Sequence, residues 1–140
     1  MIKSLFRISV SVALLGMAFG IFMGIRLDFT LAPAHAHLNL LGFVTMFLSA
    51  LYYRAFPAAA ASRLAKYQAV ISVVGAVLFP LGIASVLLGG HDRFEPFVVA
   101  GALNVLAGMV LFAVIVFRSV GRPSGNPAAT SAARREGASR

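Results

Sequence analysis

The chain has 140 residues, no cysteine, 60% hydrophobic residues and 11% charged ones, with a mean hydropathy of +0.92. Soluble domains carry about 45–50% apolar and about 25% charged residues, so one water-soluble core cannot hide this much apolar surface. Soluble enzymes, disordered chains and disulfide-stapled secreted folds are excluded on that ground. The formal net charge of +8, from 12 Lys and Arg against 4 Asp and Glu, would suit a nucleic-acid binder. The spread of those charges along the chain points instead to an integral membrane protein with no nucleic-acid partner.

Four apolar stretches, residues 8–25, 38–56, 67–88 and 97–117, are each long enough to cross a hydrocarbon core as a helix. Lys3 and Arg7 before the first stretch resemble the start of a secretory signal. The apolar run that follows is longer than a signal core of about 7–15 residues, so it is read as a retained helix. The expected fold is all-α, a four-transmembrane-helix bundle over residues 1–117. Residues 118–140, rich in Gly, Pro, Ser, Ala and Arg without an apolar period, are expected to form a disordered basic tail.

If four helices alternate, Lys3, Arg7, Arg54, Arg63, Lys66, Arg118 and the tail arginines fall on one side. Arg26 and Arg93 fall on the other, together with Asp28, Asp92 and Glu95. The positive-inside rule then makes both termini cytoplasmic, and a bacterial cytoplasmic membrane is the expected location. Tyr52, Tyr53 and Arg54, and Tyr67 beside Lys66, read as interfacial anchors on the inner side.

Helices in lipid associate through close contact at small residues. Gly16, Gly20 and Gly24 recur at four-residue spacing in the first span, and Gly75, Gly82 and Gly89 at seven-residue spacing in the third. Gly101, Asn104 and Gly108 line one face of the fourth, where Asn104 suits an interhelical hydrogen bond. Such faces serve packing within the chain or a homo-oligomer. Pro80 should kink the third span by removing a backbone hydrogen bond.

The residues that can carry chemistry lie in LAPAHAHLNLLGF, residues 31–43. Pro33 suits a helix start. At about 100° per residue, His35 and His37 point about 200° apart and cannot grip one metal while both are helical. The ladder His35, Asn39, Gly42, Met46, Ser49, Tyr53 is small or polar, as a bundle interior would be. The ladder His37, Leu41, Val44, Leu48, Leu51 is bulky and apolar, suited to lipid or to a haem edge. His91, the remaining histidine, follows the third span at the same outer level. Imidazoles at one depth suit haem iron, copper or zinc. Met23 lies at a depth that would suit a soft ligand.

His35-Ala36-His37-x-x-Leu40-x-Gly42-Phe43 resembles the H-A-H-x-x-x-x-G-F/W signature of NnrS-type membrane haem–copper proteins and of short relatives of haem–copper oxidase subunit I. His37-Leu38-Asn39-Leu40-Leu41 is similar to the H-x-N-L-L of nitric oxide reductase catalytic subunits. The resemblance covers about 12 residues of one helix. It implies His37 as axial ligand to a haem b near the outer face, with His91 or a partner subunit's histidine opposite and His35 in reserve. Arg26, Arg93 and Asn39 are the polar groups at that level. With three histidines and no acid inside a span, an oxygen- or nitric-oxide-reducing centre is not expected. The resulting expectation is a haem b protein in electron transfer or gas sensing, linked to respiration or nitric oxide. Two alternatives stand beside it. One is a copper or zinc site of His35, His37 and His91, which requires the second helix to begin after His37. The other is a cofactor-free assembly partner of a respiratory complex. A transporter is disfavoured, because no charged residue lies at the membrane midplane.

Overall fold

The computed structural model describes residues 1–120, apart from the side chains of His91, Asp92 and Val120. Residues 121–140, most of the predicted tail, lie outside the described residues. The described chain is helical, with no strand, and contains four helices long and apolar enough to cross a membrane. The first helix is Ile2–Arg26, the second span Ala32–Ala55, the third helix Arg63–Gly89 and the fourth His91–Val120; Pro57–Ala60 is a single turn between the second and third. Each helix starts four to six residues before the apolar stretch that predicts it. Lys3, Arg7, Arg63 and Lys66, good helix formers, occupy those added turns in the first and third helices, whereas Pro33 and the two histidines occupy them in the second span.

Local signals set the ends. Leu27 closes the first helix in the left-handed region, φ 52°, with its N–H donating to Gly24 and that of Asp28 to Met23. This is the paired hydrogen bonding of a Schellman stop. Pro33 occupies the first turn of the second span, where its missing N–H costs nothing. Ser62 caps the third helix by accepting from the Ala65 amide at 3.1 Å. That helix continues unbroken through Pro80.

Among the contacts that build the bundle, two antiparallel ones use the predicted glycine faces. Between the third and fourth helices, a Cβ on Gly82 would lie 3.0 Å from Val98 Cα. A Cβ on Gly101 would lie 2.7 Å from Phe79 Cα. Backbone meets backbone at both positions. Asn104 Nδ2 donates to Ile71 O across this seam at 2.8 Å, the interhelical bond expected of it. Between the first helix and the second span, Gly16 meets the Asn39 amide, Gly20 the His35 ring and Gly42 the Val12 side chain. Gly24 has nothing within 4 Å, so the first-helix ridge serves this contact through two of its three glycines.

The second span contains a feature absent from the sequence reading. Leu38–Thr45 is π-helical, between α-helical Ala32–His37 and Met46–Ala55. π segments are rare and frequently lie at functional sites. Thr45 Oγ1 donates to Leu40 O at 2.8 Å, five residues back, and so adds a side-chain bond in the π register. This segment directly follows His37.

The buried core lies at the end where the first helix starts. It comprises Leu5, Met46, Ala50, Tyr53, Ala65, Ala69, Ala76 and Ile115. Tyr53 belongs to this core and is fully buried, so it does not act as the interfacial anchor its neighbours suggest. Its hydroxyl donates to Gln68 Oε1 at 2.8 Å, and Gln68 Nε2 donates to Ser72 Oγ at 2.8 Å. The sequence reading missed Gln68, because one amide near the start of an apolar run reads as interfacial. Tyr67 is exposed as an anchor should be, and Tyr52 bonds Ser119, tying the second span to the fourth helix. Gln68→Leu would leave the buried Tyr53 hydroxyl without its acceptor and cost about 1–3 kcal/mol. Tyr53→Phe combined with Gln68→Leu should recover part of that loss, because both partners are then apolar. A double-mutant cycle in unfolding titrations measures the coupling; strictly additive losses would show that the pair does not interact.

Candidate functional site at the histidine end

His35 and His37 lie in the first turns of the second span, beside the loop that follows Arg26, and His91 opens the fourth helix at the same end of the bundle. The His91 side chain is outside the described set, so the expected pairing of His37 with His91 lies there too. The helix starts at Ala32, before both histidines, and does not begin after His37 as a shared copper or zinc site requires.

The two rings face different neighbours, as their spacing predicts. His35 packs on the first helix, with its centroid 5.8 Å from Phe19 and its Cε1–Nε2 edge against Gly20. His37 packs edge-on against Phe79 of the third helix, with centroids 5.0 Å apart. The His35 ladder follows its expected inward face, with Gly42, Met46, Ser49 and Tyr53 buried. In the His37 ladder Val44, Leu48 and Leu51 are exposed, but Leu41 packs against the core and His37 against the third helix. Among the described residues, no group of three His, Cys, Asp or Glu side chains is placed to hold a metal ion.

Hydrogen bonding gives the two imidazoles opposite tautomers. Nδ1 of His37 lies 2.8 Å from Pro33 O. A carbonyl only accepts, so Nδ1 carries the proton and neutral His37 keeps its lone pair on Nε2. Asn39 Nδ2 donates to His35 O at 3.0 Å and lies 3.4 Å from His35 Nδ1. An amide nitrogen only donates, so His35 Nδ1 accepts and the proton of neutral His35 sits on Nε2. His37 therefore offers a metal-binding nitrogen, and His35 offers an N–H.

Around His35 there is space. Met17, Gly20 and Ile21 of the first helix, with His35 and Asn39 of the second span, line an open groove of about 480 Å³. Met23, the methionine singled out at this depth, is buried in the packing; Met17 lines the groove instead. The reason is helical phase, since the two positions lie about 600° apart along the helix. Asn39 is occupied by His35 and by the close approach of Gly16.

Arg26 and Arg93 are exposed at this end, and the Arg93 guanidinium lies over the Phe94 ring at 5.6 Å. Asp28 accepts from the Thr30 amide at 3.0 Å. The Thr30 side chain, that amide bond and the nearby Arg26 charge hold the Asp28 carboxyl below its usual range. A depressed carboxyl stabilises the loop above its unfolded pKa and loses that effect as pH falls through the folded one. The protection of the Thr30 amide, measured against its intrinsic exchange rate at each pH, should therefore fall on acidification below about pH 4, and Asp28→Ala should remove that protection at every pH. A protection factor in the parent chain that does not change over this range would refute the role.

No family model, curated protein or solved structure matches the chain. The haem–copper resemblance thus rests on the residues around His37.

Proposed function

We propose that this is a small multi-pass membrane protein that binds one haem b at the histidine end and takes part in electron transfer. The observation that carries this reading is the His37 tautomer. Metal-ligating histidines ordinarily donate their second ring N–H to a carbonyl or carboxylate, which fixes the ring and makes the ligating nitrogen more basic. His37 has that arrangement through Pro33 O, and the Phe79 edge limits its rotation.

In this reading His37 Nε2 would hold the haem iron, together with His91 or a second copy's histidine. Arg26 and Arg93, exposed at the same end, are the cations available to carboxylate substituents. A bound haem supplies one-electron exchange. The chain's own part is to orient the ligand nitrogen, through the Pro33 carbonyl and the Phe79 ring. Lys3, Arg7, Arg54, Arg63, Lys66 and Arg118, gathered towards the other end, support a cytoplasmic basic face with the histidine end outward, in a bacterial inner membrane. The copper or zinc reading needs both imidazoles at one point, and their separate faces argue against it.

The test is the absorption spectrum of the detergent-purified chain after loading with haem. A stoichiometric Soret band supports the reading, and its absence overturns it.

A further inference from the structure

The end of the bundle away from the histidines carries charge that the chain itself does not compensate. Lys3, Arg7, Arg54, Arg63, Lys66 and Arg118 are all exposed there. Among the described residues every acid (Asp28, Asp92 and Glu95) falls at the histidine end, a helix length away. These six cations therefore have no carboxylate within reach.

One helix face joins two of them to a long apolar strip. Arg63, Lys66 and Tyr67 open the third helix, which has no acid in its first turn. Arg63 and Lys66 are three residues apart, so their side chains are neighbours on the helix surface and one anion can bridge them. Val70, Val74, Val77 and Leu81 continue the same side, since at about 100° per residue they stay within an arc of about 100° with the three polar positions. The strip turns away from the glycine seam: Tyr67, Val70 and Leu81 are 64%, 62% and 58% exposed, whereas Gly75 and Gly82 are buried. Residues 70–81 span about 16 Å, the depth of one leaflet of a hydrocarbon core about 30 Å thick.

The charge decides what covers this face. A second copy docked on it about an axis normal to the membrane would set Arg63 and Lys66 against their own equivalents, with no acid between them. A zwitterionic lipid covers the valines but brings its own cation to the headgroup. An anionic lipid matches both parts, because its phosphate accepts charge-assisted hydrogen bonds from the guanidinium and the ammonium while its chains cover the strip. We propose that this face of the third helix is a binding site for an anionic diacyl phospholipid, with the phosphate held between Arg63 and Lys66 and an acyl chain along residues 70–81. The site lies at the opposite end from His37 and does not depend on the haem reading.

The chain has no tryptophan, so a single one can serve as a reporter. Val74→Trp places it on the strip, and Leu48→Trp places it at similar depth on the exposed face of the second span that also carries Val44 and Leu51 and no cation. Each full-length variant is reconstituted in phosphatidylcholine vesicles containing a fixed fraction of phosphatidylglycerol or phosphatidylcholine brominated along its chains. Bromine quenches tryptophan at contact, so comparing the two brominated lipids reads which one sits beside the reporter. The Val74→Trp reporter should favour phosphatidylglycerol by about fivefold or more, the attraction of at least one surface cation, and the Leu48→Trp reporter should show no preference. Arg63→Gln with Lys66→Gln should abolish the preference. Lys3→Gln with Arg7→Gln, an equal loss of charge elsewhere on the basic end, should leave it. In the parent chain, native mass spectrometry from mixed micelles should show phosphatidylglycerol retained over phosphatidylcholine, a readout that needs no variant. No preference at Val74→Trp, or a parent chain that retains both lipids alike, overturns the proposal. Equal preference at the two reporters, or an equal loss in the two double variants, would assign the effect to net charge and overturns it as well. So does a Val74→Trp reporter that neither brominated lipid quenches, which would put a second copy on the face.

Discussion

Gly101→Leu is expected to separate the third and fourth helices and destabilise the bundle by about 3 kcal/mol or more, at the upper end of overpacking costs. Even the first carbon of the new side chain would sit 2.7 Å from Phe79 Cα and 3.0 Å from Phe79 N. Backbone atoms in a helix have no rotamer to escape into, so the helices must move apart. Gly82→Leu should behave alike, for its Cβ would meet Val98 Cα and N at 3.0 and 3.1 Å. Gly24→Ala is the matched control. Nothing lies within 4 Å of that position, and alanine is the better helix former by about 0.5–1 kcal/mol, so no loss is expected. Unfolding in mixed SDS micelles, followed by circular dichroism, ranks the variants. A Gly101→Leu protein as stable as the parent would show that the seam does not carry the bundle. The same substitution should also weaken haem retention, because Phe79 is the side chain packed against His37.

His37→Ala is expected to abolish the Soret band of the haem-loaded chain, while His35→Ala leaves it weakened but present. The difference follows from the tautomers. Removing His37 removes the Nε2 lone pair; removing His35 removes an N–H and part of the contact with Gly20. Size-exclusion profiles and helical content should match the parent in both variants, since each ring is only half-buried. If His35→Ala loses the band and His37→Ala keeps it, the ligand is misassigned. The groove beside Met17 would then be the place to look for it.

Much of this molecule is one-dimensional. Span length and apolarity are properties of consecutive residues, so the four helices were determined before any packing was known. So were the glycine faces, because seven-residue spacing keeps Gly75 with Gly82, and Gly101 with Gly108, on one side of a helix whatever it touches. The divergence of His35 and His37 follows from the same periodicity. Span starts were less legible, since residues such as Lys3, Lys66 and the APAHAH turn form helix before the apolar pattern begins.

Tertiary structure decided the rest, because it concerns neighbours far apart in sequence. Only packing revealed that Gly24 is idle while Gly16 and Gly20 close on Asn39 and His35. Only packing placed Tyr53 against Gln68 in the core, and Met17 rather than Met23 beside the histidine. The π segment from Leu38 to Thr45 has no periodic signature in a run this apolar. The sequence by itself determined a four-helix membrane chain with its histidines at one level. The tertiary structure decided which ring nitrogen each histidine offers and what lies beside it, because a proton settles where a neighbouring carbonyl or amide leaves it.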